Sequence, residues 1–346
     1  MHLAILTQVL DRRDAVLGFF HTWCAVFAEH CEQLTVYAQR VGEVQLPDNV
    51  TVISLGKERG AGKAGMLATL WRQLARQPKP DALWCHMVPK FVLYAAPVAK
   101  LRGIPIHLWY THKGVDRALK MSVPLIRKAF SASRESFRLD SAAGKVVITG
   151  HGIDGEHFAT QAGVRPVDVL AVGRLAPSKG QDELLEALSL VDPMPRTQIA
   201  GDILLERDAP WRDRLAARAA EFDGRVELLG AVPYVEVAEF MRGAKLLVNT
   251  SRTGSVDKVV LEAMAAGALP LTCNESFEPI LGDVRGGELM FDRDDPQQLA
   301  ERVRALLALP ADEAVALRAE LRARVLRDHD LAVLVPRMIA EMEASA

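Results

Sequence analysis

The sequence predicts an α/β protein made of two Rossmann-like domains that face each other across a cleft. Its 346 residues suit two domains of ordinary size. Short apolar or β-branched runs alternate with amphipathic stretches along the whole chain. Strands of this kind belong to parallel sheets that are covered by helices on both faces. The alternation occurs twice, and a polar, glycine-containing stretch at 155–168 separates the two series.

Each half of the chain supplies its own set of strands. In the first half we expect six strands and two amphipathic helices, the strands at 2–8, 33–39, 50–55, 81–87, 104–110 and 145–150 and the helices at 18–31 and 63–77. In the second half we expect five strands, each followed by helix-like sequence, at 167–175, 197–203, 225–232, 244–251 and 268–274. We therefore predict domains at 1–160 and 161–329, with a helical tail.

Composition indicates a globular protein of a reducing compartment. Hydrophobic residues make up 49% and charged residues 25%, and no apolar run is long enough to span a bilayer. The opening residues 1–14 predict a first strand better than a signal peptide, because no basic start or cleavage site accompanies their short apolar run. The four cysteines form no CxxC pair, which argues against a zinc site or a disulfide framework. We expect a cytoplasmic protein.

The small net charge of -2 conceals an asymmetry between the halves. Residues 1–150 contain 20 Lys and Arg against 11 Asp and Glu, whereas the rest of the chain contains 22 against 33. The first half is therefore strongly basic and the second strongly acidic. This difference favours contact between the first half and an anionic surface or ligand, although chance variation in solvated side chains remains an alternative.

The loop after the strand at 167–175 predicts an anion site. Gly173 and Arg174 lie at the end of this strand, and Lys179 and Gly180 lie between it and an amphipathic helix. Ligands of open α/β sheets bind beyond the carboxyl ends of strands, and cations beside a helix N-terminus favour a diphosphate there. Ordinary solvated cations on a surface loop are the alternative.

The segment 251–271 predicts a second part of the same site. Its small residues allow a ligand to approach the backbone, and a helix at Val259–Ala266 follows. Glu262 lies inside that helix, among apolar residues on all sides. A carboxylate in such surroundings needs a partner, and beside a nucleotide its usual task is to accept hydrogen bonds from ribose hydroxyls. A surface glutamate is the alternative.

Three blocks, at 150–158, 172–188 and 251–267, resemble in this order the retaining family-4 glycosyltransferases of GT-B fold. The likeness covers the second half of the chain and is looser in the first. It implies a nucleoside-diphosphate-sugar donor held by the second domain and an acceptor held by the first. It also implies a final helix, 330–346, that packs back on the first domain.

The resemblance assigns roles to charged residues of the second half. Arg174 and Lys179 match the basic pair that holds the donor diphosphate and neutralises the leaving group, so that neither a metal nor another cofactor is expected. Glu262 matches the second acid of the family motif, the one that holds the ribose.

The chain departs from the family at the first acid of that motif, where it has Gly254. The family acid touches the transferred sugar, so its absence leaves the identity of the sugar open. Ser255 and Val256 are expected to offer backbone N–H groups to the donor, and Asp257 is a candidate for part of the missing contact.

In the first half the resemblance points to Gly18 and His112. Gly18 stands where the family has a glycine loop near the donor phosphate, with a plain helix-start glycine as an equal alternative. His112 follows a strand and is expected near the reacting sugar, where it would bind a hydroxyl or steady developing charge. For His86 and His151 we favour structural roles.

The stretch 112–145 carries eight Lys and Arg against three acids, with apolar residues between them. Such a surface predicts peripheral contact with anionic lipid, on the inner face of the plasma membrane; a solvated helix packed on its sheet is the alternative. No nucleic-acid motif accompanies the charge, so nucleic acid is not expected as a partner.

These features together predict a metal-independent, retaining glycosyltransferase of hexosyl type. It would transfer sugar to a hydroxyl acceptor, a glycan or a lipid-linked molecule, in cell-envelope polysaccharide or glycolipid synthesis. Two alternatives stay open: a sugar-nucleotide epimerase or hydrolase of the same fold, and a non-catalytic protein that binds nucleotide sugar.

Overall fold

The computed structural model describes residues 1–14, 16–161, 163–252 and 255–345. Contacts between residues divide the chain into two compact units, one formed by residues 1–152 with 328–346 and the other by 153–327. Each unit contains one sheet of parallel strands with helices around it. The predicted α/β class is therefore confirmed.

The first unit has seven strands: β1 (His2–Leu10), β2 (Gln33–Val41), β3 (Val50–Ser54), β4 (Ala82–His86), β5 (Ile106–Trp109), β6 (Ala129–Ser131) and β7 (Val146–Ile148). They pair in parallel in the order β3-β2-β1-β4-β5-β6-β7. All six strands expected here are present. We missed β6, a strand of three residues inside the stretch that we interpreted as a basic amphipathic surface.

Alternation along β1 gives the first unit two cores. Leu3 and Ile5 belong to one buried cluster and Ala4 and Leu6 to another, because successive side chains of a strand point to opposite faces. Five helices cover the faces: α1 (Phe19–Glu29), α2 (Lys63–Arg76), α3 (Pro89–Arg102), α4 (Arg117–Ser122) and, from the end of the chain, α12 (Leu331–Glu343). The helices α1 and α12 pack on the first cluster, and α2 and α3 pack on the second.

The last helix, α12, joins the first unit through its apolar face. Asp330 caps it by accepting a hydrogen bond from the Ala332 N–H at 3.0 Å. Its buried side chains share a core with those of α1, and they are Leu331, Leu334, Val335, Met338, Ile339 and Met342. Burial of this stripe, rather than local propensity, holds the helix on the unit.

The second unit has five strands: β8 (Val167–Val172), β9 (Thr197–Ala200), β10 (Val226–Gly230), β11 (Ala244–Asn249) and β12 (Leu269–Thr272). All five lie where the sequence predicts them, and they pair in parallel in the order β10-β9-β8-β11-β12. Its helices are α5 (Gln181–Ser189), α6 (Ala209–Ala220), α7 (Tyr234–Gly243), α8 (Lys258–Ala266), α9 (Glu278–Leu281), α10 (Pro296–Leu307) and α11 (Ala311–His329), the last of which ends where the chain returns to the first unit.

Within the described residues, no helix combines the length and apolar character needed to cross a lipid bilayer.

Candidate functional site

The strand order of the second unit marks one edge for a ligand. From β8 the chain proceeds outward through β9 to β10, and then returns to pair β11 with the other side of β8. The loops that follow β8 and β11 therefore diverge at this point and leave a crevice at the carboxyl ends of the strands, which is where open α/β sheets bind ligands. Both charged segments singled out in the sequence are these loops.

The loop after β8 is shaped by three glycines. Gly173 has φ +154° and a side chain there would meet open space, whereas a Cβ on Gly201 would lie 1.9 Å from the Gly173 carbonyl oxygen. Gly180 begins α5 with φ +62°, and a Cβ there would lie 2.7 Å from the carbonyl oxygen of Thr250. Gly180 and Gly201 must therefore be glycine, because the backbone of a neighbouring loop approaches each of them closely. Gly173 has open space beside it.

Lys179 joins the two loops across the crevice. Its Nζ donates to Ser251 Oγ at 3.0 Å and to Asp257 Oδ1 at 2.8 Å, and its carbonyl oxygen accepts from Thr250 Oγ1 at 2.6 Å. The ammonium group therefore lies at the predicted anion site, but it forms an ion pair with a carboxylate of this same chain. We did not predict this ion pair from the sequence.

Arg174 and Arg252 present a contrast at the same edge. Arg174 is exposed, its carbonyl oxygen accepts from Gln181 Nε2 at 2.9 Å, and its guanidinium has no partner among the described residues. Arg252 is bound to two acids, with Nη2 3.3 Å from Glu183 Oε2 and a hydrogen bond to Asp294. Arg174 is therefore available to an incoming anion without breaking an ion pair.

Asn274, which follows β12, contacts the loop after β11. The Asn274 side chain is fully buried and donates to the Ser255 carbonyl oxygen at 2.7 Å and to Asp257 Oδ2 at 3.2 Å. Thr272 Oγ1 accepts from the Asn274 N–H at 3.2 Å. A polar network from β12 therefore fixes the loop that precedes α8. We did not predict Asn274 as a site residue, although a polar residue at the carboxyl end of a strand was an available signal.

Glu262 is buried, as its apolar neighbours predicted. All residues from Val260 to Ala266 on α8 are buried, so the carboxylate is removed from bulk water. Tyr234 donates its hydroxyl to Glu262 Oε1 at 3.3 Å, and Lys258 acts on it through its positive charge. Neither partner was predicted, although Lys258 lies one helical turn before Glu262.

The surroundings of Glu262 shift the protonation of three groups. Burial raises the pKa of the Glu262 carboxyl, and the charge of Lys258 and the hydrogen bond from Tyr234 oppose that rise. Burial lowers the pKa of Lys258 to about 8, against the attraction of Glu262. Burial and the nearby carboxylate together raise the pKa of the Tyr234 hydroxyl well above its usual value. The carboxylate is thus held by one cation and one hydroxyl donor, and an acceptor of this kind suits a diol.

The predicted backbone donors lie in the loop before α8. Ser255 is half-buried, and the side chain of Val256 packs against the core of the second unit. Gly254, where the family has its first acid, lies outside the described residues.

The two residues predicted from the first half belong to the first unit. Gly18 precedes α1 in ordinary right-handed backbone, with φ -55°, so its conformation does not require glycine. His112 is exposed after β5, and its Nδ1 accepts from the Gly114 N–H at 2.8 Å. By contrast, His86 is buried and stacked on Phe20 with ring centroids 3.9 Å apart, in line with the structural role that we favoured.

The second unit therefore contains the predicted anion site at the loops after β8 and β11, and a buried carboxylate on the helix that follows the second loop. Arg174, Lys179 and the N-terminus of α8 supply positive charge and N–H donors. Glu262 supplies the acceptor. Three or more His, Cys, Asp or Glu residues do not come together in a metal-binding arrangement anywhere in the described part of the chain.

Comparisons with known proteins find a family model that matches part of this unit. Residues 166–309 match the family model described as Glycosyl transferases group 1. The GDP-mannose:cellobiosyl-diphosphopolyprenol alpha-mannosyltransferase of Xanthomonas campestris is 28% identical over 208 residues, which is 59% of this chain and 54% of that protein. The putative colanic acid biosynthesis glycosyltransferase WcaL of Escherichia coli (strain K12) is 23% identical over 211 residues, 58% of this chain and 51% of that one. The chain thus spans about half the length of these curated relatives.

A solved structure resembles the whole chain. The crystal structure of Anabaena HepE in complex with UDP-glucose superposes with a TM-score of 0.76 at 17% identity, and the match covers 100% of both chains. At this identity the likeness is one of fold. Residues 166–309 of the second unit thus resemble the glycosyl transferases group 1, and the chain has the GT-B fold.

Proposed function

We propose that this chain is a glycosyltransferase that transfers a hexose-type sugar from a nucleoside-diphosphate sugar to a hydroxyl acceptor. The observation that carries the proposal is the meeting of Lys179 with the α8 N-terminus at one crevice, with Arg174 in the same loop as Lys179 and Glu262 in α8. Cations and helix N–H groups recognise a diphosphate. A carboxylate among them recognises ribose hydroxyls.

In the proposed reaction the bond between the sugar C1 and the diphosphate oxygen breaks, and a bond from the acceptor oxygen to C1 forms on the same face. The anomeric configuration is retained because the new bond forms on the face that the leaving group departs from, and the acceptor proton passes to the departing phosphate oxygen. Negative charge grows on the leaving phosphate, and Arg174 and Lys179 stabilise it there. We propose that these two cations fill the role that a metal plays in other transferases.

The nucleotide and the sugar are left to experiment, because the relatives differ. The Xanthomonas protein is named for GDP-mannose, and the Anabaena structure contains UDP-glucose. Glu262 and the diphosphate site fit any ribonucleoside diphosphate, since neither contact involves the base.

A cavity in the first unit supports a lipid-linked acceptor. It has a volume of about 470 Å³ and lies between α2, α3 and the ends of the first strands. Its walls are mostly apolar, with Leu67, Leu70, Phe91 and Tyr94 among them, and Lys57 and Lys63 line it as well. Apolar walls beside two cations suit an amphiphile with an anionic group, such as a lipid phosphate.

A second surface of the first unit supports contact with a membrane in cell-envelope synthesis. A groove of about 600 Å³ near the start of β5 is lined by Lys100, Arg127 and Lys145 and by Leu125, which is 43% exposed. Basic and apolar groups side by side bind anionic lipid bilayers. We propose that the protein acts at the cytoplasmic face of the membrane, and we expect phosphatidylglycerol vesicles to sediment it at low salt and release it at high salt.

The test of the function is product formation. The purified chain is incubated with UDP-glucose or GDP-mannose and a polyprenyl-phosphate-linked sugar, with and without EDTA, and the product linkage is assigned by NMR. We expect a product with the anomeric configuration of the donor, formed equally in EDTA. Nucleotide binding without any product would instead favour a non-catalytic donor-binding protein, the candidate suggested by Gly254 and by the ion pair at Lys179.

A further inference from the structure

Asp257 occupies a helix cap position without capping the helix. Asp is among the residues preferred at an N-cap, where its carboxylate accepts an N–H of the first turn. Asp257 stands at the N-cap of α8, but its side chain makes no cap hydrogen bond. The carboxylate is instead 2.8 Å from Lys179 Nζ and 3.2 Å from Asn274 Nδ2. A side chain suited to capping α8 is therefore held in an ion pair with Lys179 instead.

The position of this carboxylate is well defined. The side chains of Lys179 and Asp257 are only 19% and 14% exposed. Asn274 is fully buried and also donates to the Ser255 carbonyl oxygen at 2.7 Å, so it ties Asp257 to the loop that carries it. The contact joins the loops after β8, β11 and β12, and it is not an incidental surface ion pair.

This arrangement conflicts with a diphosphate at Lys179. Two anions on one ammonium group repel each other at the short distance involved. A diphosphate that binds Lys179 therefore competes with the Asp257 carboxylate and would displace it. The displaced carboxylate stays in the loop beside the diphosphate, where the attached sugar would lie.

We propose that Asp257 is an internal competitor for the diphosphate and that, once displaced from Lys179, it becomes the carboxylate that recognises hydroxyls of the transferred sugar. The proposal rests on the function proposed above. Asp257 is the only acid between residues 251 and 257, so no other carboxylate of this loop competes for that role. A carboxylate offers acceptors only, and vicinal sugar hydroxyls are donors that match it.

The proposal predicts opposite effects of one substitution on two ligands. Asp257→Asn removes the charge and keeps the shape, so a nucleoside diphosphate should bind about ten-fold more tightly, the effect of one charge-assisted contact. The advantage of the sugar nucleotide over the bare nucleotide should fall about ten-fold, because the sugar loses an ionised acceptor. Asp257→Glu keeps the charge, so its nucleotide affinity should stay near that of the wild type while the sugar advantage falls.

Calorimetry with pyrophosphate, UDP, GDP, UDP-glucose and GDP-mannose tests the proposal. The matched control is Asp213→Asn, which removes one charge from an exposed acid of the same unit that pairs with the adjacent Arg212. We expect Asp257→Asn, but not the control, to tighten pyrophosphate and nucleotide binding and to reduce the sugar advantage.

The outcomes separate the two proposals. If wild type and Asp257→Asn bind nucleotides and pyrophosphate equally, the competitor role is wrong while the proposed function stands. If the sugar advantage is unchanged in Asp257→Asn, the sugar-recognition role is wrong. If Asp257→Asn tightens pyrophosphate but no nucleotide binds more strongly than pyrophosphate, the proposed function fails while the competition at Lys179 is supported.

Discussion

The two units share a strand order around their central strands but differ in what fills the edge where that order reverses. In the first unit the sequence β3-β2-β1-β4 matches β10-β9-β8-β11 in the second. At the end of β4, His86 stacks on Phe20 and contacts Thr7 Oγ1 at 3.2 Å. At the end of β11, the Lys179 ammonium, the Asp257 carboxylate and the Asn274 amide form a charged network, which we call the ionic edge. The same topology therefore offers a packed aromatic edge in one unit and an ionic edge in the other, and we propose that only the ionic edge binds a nucleotide.

The largest expected effect comes from removing Lys179 of the ionic edge or Arg174 of the same loop. Lys179→Ala and Arg174→Ala should each lower sugar transfer by about 100-fold or more, because charge on the leaving phosphate loses its stabilising partner. The matched controls are Lys245→Ala and Arg196→Ala, which remove the same charges near the amino ends of β11 and β9. Steady-state transfer rates measure the effect, with circular dichroism as the folding check. Wild-type rates in both site variants would show that the donor does not bind at the ionic edge.

A smaller effect, on nucleotide affinity, is expected from substitution of Glu262. Glu262→Gln should weaken nucleoside-diphosphate binding by about 10- to 100-fold, the range for hydrogen bonds to a charged group. Calorimetry measures the affinity, and Glu239→Gln on the exposed face of α7 is the control. Inorganic pyrophosphate, which has no ribose, should bind both variants equally. A matching loss for pyrophosphate would mean that Glu262 acts through the structure of α8 and not on the ribose.

A substitution in the apolar cavity of the first unit should change the binding of the acceptor and not that of the nucleotide. Leu67→Gln puts an amide into the wall of the apolar cavity, so we expect the KM for a lipid-linked acceptor to rise about five- to ten-fold, the effect of losing about 1–1.4 kcal/mol of apolar contact. Nucleotide affinity should not change. Leu101→Gln is the control, since Leu101 is 87% exposed and is not among the residues that line the cavity. An unchanged KM would show that the acceptor does not use this cavity.

The smallest effect concerns the pH dependence of stability. Burial lowers the pKa of Lys258 to about 8 in the folded protein, so between that pH and its ordinary value of 10.5 the unfolded chain holds a proton that the folded one has released. Stability therefore rises with pH in this window, by at most about 1.4 kcal/mol per pH unit for one proton. Urea unfolding at pH 7 to 10 should show wild type gaining stability relative to Lys258→Met. A pH-independent difference between the two proteins would exclude the shifted pKa.

The sequence predicted the framework of the fold better than its short or polar details. Eleven expected strands are present because short runs of apolar or β-branched residues, bounded by turn residues and alternating with amphipathic stretches, are a strong signal. We did not predict β6, because its three residues lie in a basic stretch and are too few to show an alternating apolar pattern. Burial of Glu262 followed from its neighbours, but Tyr234 could not be foreseen, since it comes from α7 and meets Glu262 only in the folded unit.

The ion pair of Lys179 shows a further limit of prediction. Lys179 and Asp257 are separated by 77 intervening positions in the chain, and no local pattern links them. Only the parallel pairing of β8 with β11 brings their loops together. The sequence identified each residue as part of a loop at a strand end, and the partner of each depended on the strand order.

Nucleotide binding at the ionic edge underlies every role proposed for the second unit, and a thermal-shift measurement shows whether it occurs. Wild type and Lys179→Ala are melted in UDP, GDP and ADP, each with and without EDTA. A ligand that binds only the folded state raises the melting temperature. We expect one nucleotide to raise the melting temperature of the wild type equally with and without EDTA, and we expect the rise to be lost in Lys179→Ala. No rise with any nucleotide, or an equal rise in the variant, would contradict nucleotide binding at the ionic edge.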